Sequence, residues 1–162
     1  MTDEDQQNEK CVPRKEDVVS PDTIIKAMYD CISGPAGKRN WYRLRSLYLE
    51  GARLIPIGKR IHKEAELRVM NVDEWIEDVE PYFAENDFYE LETVRHSDQF
   101  GNIIQAFSTY EARSKPDGQP IARGINSIQL LQHEERWWIV TVFWDNETQD
   151  NPIPEEFLPY LW

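Results

Sequence analysis

The sequence predicts an α+β domain in which helices come first and then cover one face of a curved antiparallel sheet. Two observations carry this. Apolar residues recur at helical spacing up to about residue 85, and after Asn86 their period changes from 3.6 to 2. The later segments are long and separated by tight-turn residues, which gives consecutive strands an antiparallel meander. At 162 residues the chain has the length of one domain with a sizeable core.

Residues 1–19 are polar, acidic and without hydrophobic period, so they are expected to form a disordered tail ahead of a single domain over 20–162. Ser20-Pro21-Asp22 starts a helix, with Ser as N-cap, Pro at the first helical position and an acid in the first turn. Ile24, Ile25, Met28, Tyr29 and Ile32 form its apolar face, and Gly34-Pro35 ends it. Asn40 caps a short second helix bearing Trp41, Leu44, Leu47 and Tyr48. Gly51 is expected to stop that helix, and residues 52–57 read as a strand. Residues 58–70 form a basic loop, with a short strand at 66–70.

Asn71 and Glu74 make a capping box for a third helix, with Met70 and Trp75 as its hydrophobic staple. Val72, Trp75, Ile76, Val79 and Phe83 share one face, and Pro81 is expected to kink or end the helix. Strands follow at about 88–98, 102–114, 121–133 and 136–145. Gly101-Asn102, Lys115-Pro116-Asp117-Gly118 and His133-Glu134-Glu135-Arg136 supply the turns. Residues from about 150 to 162 are apolar and proline-punctuated, and are expected to pack on the body or on a second subunit.

The net charge of −12 disfavours nucleic acid and anionic membrane as partners, since both need a basic footprint. No apolar run reaches the roughly 18 residues of a membrane span. The start of the chain lacks a secretory pattern, so a cytoplasmic location is expected. Cys11 and Cys31 are too few for a disulfide framework or a four-ligand zinc site. The charge is uneven. Residues 38–70 carry nine Lys/Arg against three Glu, whereas residues 71–98 carry ten acids against Arg95. Either the two segments pair across the surface, or Arg39, Arg43, Arg45 and Arg53 form a positive patch for an anionic ligand or partner.

Three stretches carry a family resemblance. The first is Gly34-Pro35-Ala36-Gly37-Lys38-Arg39-Asn40-Trp41, running on to Gly51-Ala52-Arg53-Leu54-Ile55-Pro56. The second spans Phe100-Gly101-Asn102-Ile103 to Ser108-Thr109-Tyr110-Glu111. The third joins Arg123-Gly124-Ile125-Asn126-Ser127-Ile128-Gln129-Leu130 to Arg136-Trp137-Trp138-Ile139-Val140 and Phe143-Trp144-Asp145. Together, over about residues 20–160, they resemble the nuclear transport factor 2-like superfamily in its bacterial SnoaL-like branch, including members of unassigned function. The resemblance implies a cone, a strongly bent sheet wrapped around about three helices, as in the cystatin-like fold. It also implies an apolar cavity at the open end and homodimers formed through the sheets. Members include isomerases, dehydratases, hydrolases and proteins that only bind, so fold leaves function open.

A catalytic member needs an ionisable group facing the apolar cavity, where burial moves its pKa. On the last strand, Ile139, Thr141, Phe143 and Asp145 alternate onto one face, which makes Asp145 a candidate general acid or base, or else a turn residue beside Asn146. His96 is the candidate catalytic histidine; His62 and His133 read as surface groups. Arg53 and Arg123 are candidates for an anionic group or an oxyanion, with a cross-strand pair to Glu111 as the alternative for Arg123. Asn126 either donates to a ligand or satisfies backbone, and Tyr82, Tyr110 and Trp144 are candidate lining residues. No metal-ligand spacing, glycine-rich phosphate loop or GxSxG elbow is present, so neither metal nor cofactor is expected. Two functions remain. One is a protein binding a small apolar or aromatic ligand, with cofactor-free acid/base chemistry as an open addition. The other is a non-catalytic dimeric interaction module.

Overall fold

The computed structural model describes residues 13–58 and 66–160. Its elements are α1 (Lys15–Val18), α2 (Pro21–Ile32), α3 (Trp41–Leu47), β1 (Tyr48–Pro56), α4 (Val72–Glu85), β2 (Tyr89–Phe100), β3 (Ile103–Arg113), β4 (Pro120–His133) and β5 (Arg136–Asn146). A 3-10 turn at Glu155–Phe157 follows. This is the expected α+β arrangement, with helices on a curled five-stranded sheet.

The helix starts form as the sequence specifies. The Thr23 N–H donates to Ser20 Oγ at 3.1 Å while the Ser20 N–H donates to Thr23 Oγ1 at 3.1 Å. Asn71 and Glu74 exchange the same pair of bonds at 2.8 and 3.1 Å. Each cap stabilises its helix by about 1 kcal/mol, because it satisfies N–H groups that have no partner within the helix. Asn40 caps α3 through the Arg43 N–H.

Four expectations are corrected. Part of the presumed tail is folded: α1 lies within it, Asp17 and Val18 are buried, and Asp17 takes a two-pronged bond from Arg43 at 2.8 and 2.9 Å. The Arg43 hydrogen bond holds the Asp17 carboxyl below its ordinary pKa. Residues 1–12 lie outside the described residues, as do residues 59–65 of the basic loop. Gly51 does not end α3, which stops at Leu47; with φ of 83° it sits in a bulge of β1 between Tyr48 and Arg53. No strand forms at 66–70, where Met70 alone bridges to Leu54. Pro81 does not end α4, which runs on to Glu85.

The strand order is β1-β5-β4-β3-β2. Strands β2 to β5 form the antiparallel meander, and β1 adds to the β5 edge in parallel. Two bulges set which side chains face inward. One places Thr93 as an extra residue between Glu92 and Val94. The other places Val140 as an extra residue of β5, because Leu130 faces Ile139 while the adjacent Gln129 faces Thr141. One extra residue reverses the alternation downstream, since side chains alternate with period two. Ile139 therefore faces the core before the bulge, and Val142 does so after it.

One core joins the helices to the inner sheet face. Ile24, Ile25, Leu44 and Leu47 are fully enclosed together with Ile128, Leu130 and Ile139. Burying a side chain of this size contributes about 1.5–3 kcal/mol relative to exposure. The C-terminal segment packs on the body. Ile153 is buried, and Thr109 Oγ1 donates to the Phe157 carbonyl at 2.7 Å.

Candidate functional site

Helices α2 and α4 hold their apolar faces off the inner sheet and leave a partly open cavity of about 120 Å³. Its wall is largely aromatic. Trp75, Tyr82 and Phe83 come from α4, Phe88 precedes β2, Tyr110 comes from β3 and Trp144 from β5. Phe83 and Phe88 lie tilted with centroids 4.9 Å apart, and Tyr82 meets Phe88 edge-on at 6.3 Å. Such ring pairs hold one another in fixed orientations and add to their area burial.

The polar groups of the wall fall into two kinds. Most are paired. Asn126 Nδ2 donates to Tyr29 Oη at 2.9 Å, and Tyr29 Oη lies 2.7 Å from Ser108 Oγ. The Ser108 hydroxyl donates to Glu92, which also accepts from Arg95 at 2.7 Å. The Tyr110 hydroxyl donates to Asn146. Burial pushes the Tyr29 and Tyr110 phenols well above their ordinary pKa, and the Glu90 charge adds to this. Gly124 makes room for Tyr110: a Cβ there would lie 2.3 Å from the phenol oxygen.

Glu90 differs, and the Tyr48 hydroxyl likewise has no hydrogen-bond partner among the described residues. The Glu90 carboxyl lines the cavity and, unlike Glu92, has neither a hydrogen-bond donor nor a cation beside it. The residue is half-buried and keeps some accessible surface. Burial alone pushes its pKa up to about 8. Glu90 is therefore mainly protonated at neutral pH, and it can donate a hydrogen bond or exchange a proton with a bound molecule.

Tyr82, Tyr110, Asn126 and Trp144 all border this cavity. The other candidates lie elsewhere. Asp145 is exposed on the outer sheet face, one residue before the end of β5, and accepts from the Asn146 N–H at 2.9 Å. The bulge at Val140 is what turns it outward. His96 is exposed on the outer half of β2, edge-on to Phe157 at 5.0 Å. Arg53 is exposed on β1. Arg123 pairs with Glu147 at 2.7 Å, whereas Glu111 is taken by Arg113. Glu147 also accepts from the Ile153 N–H at 3.0 Å, so Arg123 helps to secure the C-terminal segment. Cys31 is buried, and burial pushes its thiol up to about 11, which leaves it an inert core residue.

Glu90 was missed by sequence reasoning. It shares strand parity with Phe88, which marks the inner face, but Glu92 follows at the same parity and makes that face read as solvated. Among the described residues no cluster of His, Cys, Asp and Glu could hold a metal ion, and no helix is long and apolar enough to cross a membrane.

No family model and no curated protein matches the sequence. Solved structures do match its shape. A protein of unknown function with a cystatin-like fold from Nostoc punctiforme is similar at a TM-score of 0.59 and 6% identity, over 78% of this chain and 87% of that one. A nuclear transport factor 2-like protein of unknown function from Silicibacter pomeroyi is similar at 0.53 and 20% identity, over 78% and 92%. The yeast Ubp3-associated protein Bre5 is similar at 0.57 and 11% identity, over 78% and 92%. At these identities the likeness concerns architecture, and the chain has the nuclear transport factor 2-like, cystatin-like fold.

Proposed function

We propose that this protein is a SnoaL-like member of that fold which binds a small apolar or aromatic ligand in its cavity. The observation that carries the proposal is an aromatic cavity lined by one carboxyl without a hydrogen-bond partner. Its volume of about 120 Å³ suits a single ring, since an apolar cavity of about 150 Å³ takes up benzene. Glu90 replaces Asp145 and His96 as the group able to carry a proton in cofactor-free acid/base chemistry. A cytoplasmic location belongs to the same proposal. Native mass spectrometry of the purified protein, with thermal unfolding in the presence of phenol or toluene, tests ligand binding. Stabilisation that is lost in Tyr82→Ala supports it; no shift with any single-ring compound contradicts it.

A second proposal concerns the outer sheet face. Phe107 and Phe143 flank Ser127 across β3, β4 and β5, and both are exposed, with Ile103 on the same face. An apolar patch of this kind suits a homodimer formed sheet to sheet. Sedimentation equilibrium of Phe143→Asp tests it: a dimer that becomes a monomer supports the proposal, and an unchanged mass or a monomeric parent contradicts it.

A further inference from the structure

The charge inventory of the cavity narrows its ligand. Among the described residues, Glu90 is the only acidic side chain lining it, and no Lys, Arg or His lines it. The other wall groups are rings, aliphatic side chains, phenols and two amides. Aromatic faces attract cations through their quadrupoles, most strongly where water is excluded. A carboxyl without a partner in the same space lacks one thing, a positive charge within reach.

We infer that the cavity takes a small amine in its cationic form, with the ammonium group against Glu90 and the apolar part among the rings. This rests on the proposal that the cavity is a ligand site. An anion would meet no cation there, and a neutral ligand would leave Glu90 with a hydrogen bond at most.

Binding and ionisation are then linked. The empty site holds Glu90 mainly as the acid, because burial raises its pKa. An arriving ammonium ion favours the carboxylate, so the carboxyl proton leaves to solvent as the ion pair forms. The groups around Glu90 do not supply that charge. Tyr29 of α2, Tyr48 of β1 and Tyr110 of β3 are buried phenols held neutral chiefly by burial. Tyr82 of α4 is a further phenol on the wall, and β4 and β5 contribute Asn126, Trp144 and Asn146, which do not titrate. Glu92, next on the same face, is already paired with Arg95.

Titration calorimetry with benzylamine and with benzyl alcohol, near neutral pH and in two buffers of different ionisation enthalpy, separates the possibilities. The expected result is that benzylamine binds at least tenfold more tightly and releases most of one proton to the buffer. In Glu90→Gln the preference should vanish. Benzyl alcohol binding as tightly as benzylamine would overturn the inference while leaving the ligand-site proposal standing. An unchanged preference in Glu90→Gln would also overturn it. Where that variant does not fold, the intact protein decides, because amine binding without proton release is equally contrary. If neither probe binds, the inference and the ligand-site proposal fall together.

Discussion

Glu90 and Glu92 are two carboxyls on one strand and one face, two residues apart, yet they sit in opposite situations. Glu92 is enclosed by Arg95 and Ser108, and through Ser108 it reaches Tyr29 and Asn126. Glu90 faces rings and empty space. The difference shows how burial divides acids. One that finds a cation and donors becomes structure. One that finds neither keeps its proton, and its unmet polarity is available to a ligand.

This contrast can be broken at its structural end first. Glu92→Leu removes the acceptor of Arg95 and Ser108 and should lower stability by about 2–3 kcal/mol in urea unfolding, because the polar groups left behind stay partly buried. A loss under about 1 kcal/mol would show that Glu92 is not holding the chain of bonds together. Gly124→Ala comes next. Its Cβ would meet both the Tyr110 phenol and the Asp145 carbonyl at 2.3 Å. The expected cost is about 1–3 kcal/mol, with the cavity reshaped as Tyr110 moves. Unaltered stability together with an unaltered Tyr110 environment would contradict that close approach. Asp145→Asn should do least, within about 0.5 kcal/mol and without effect on ligand binding, since Asp145 is exposed on the other face. Loss of binding in that variant would return the site to the strand end.

Local signals in this sequence were legible. Ser20, Asn40 and Asn71 cap the helices they mark, because a cap depends only on residues within one turn. The four long strands and their turns follow from period and turn chemistry in the same way. Legibility ended where geometry depends on a distant partner. The bulge at Val140 arises from pairing with β4, and it moved Asp145 from the expected cavity face to the outer one. Arg123 has Glu111 opposite in register, yet it takes Glu147, because the chain beyond β5 turns back alongside it. Arg95, which reaches Glu92 and Asp22 from α2, is what makes Glu92 structural, and that encounter is not written in the local pattern of β2. Without it the two acids look alike.

The raised pKa of Glu90 also fixes a direction for stability with pH. Its value of about 8 in the folded chain lies above the ordinary value of about 4.3 that it takes when unfolded. The folded chain therefore holds a proton that the unfolded chain has lost between these values. The contribution is full below about pH 4, is lost as pH rises, and is spent above about pH 8. Carbon-13 NMR titration of the labelled Glu side chains, with Glu90 assigned by its absence in Glu90→Gln, measures the same group directly. A midpoint near 8 is expected for an unpartnered carboxyl buried among rings. A midpoint near 4.3, the value of a solvated glutamate, would show Glu90 open to water and would remove the basis for the site.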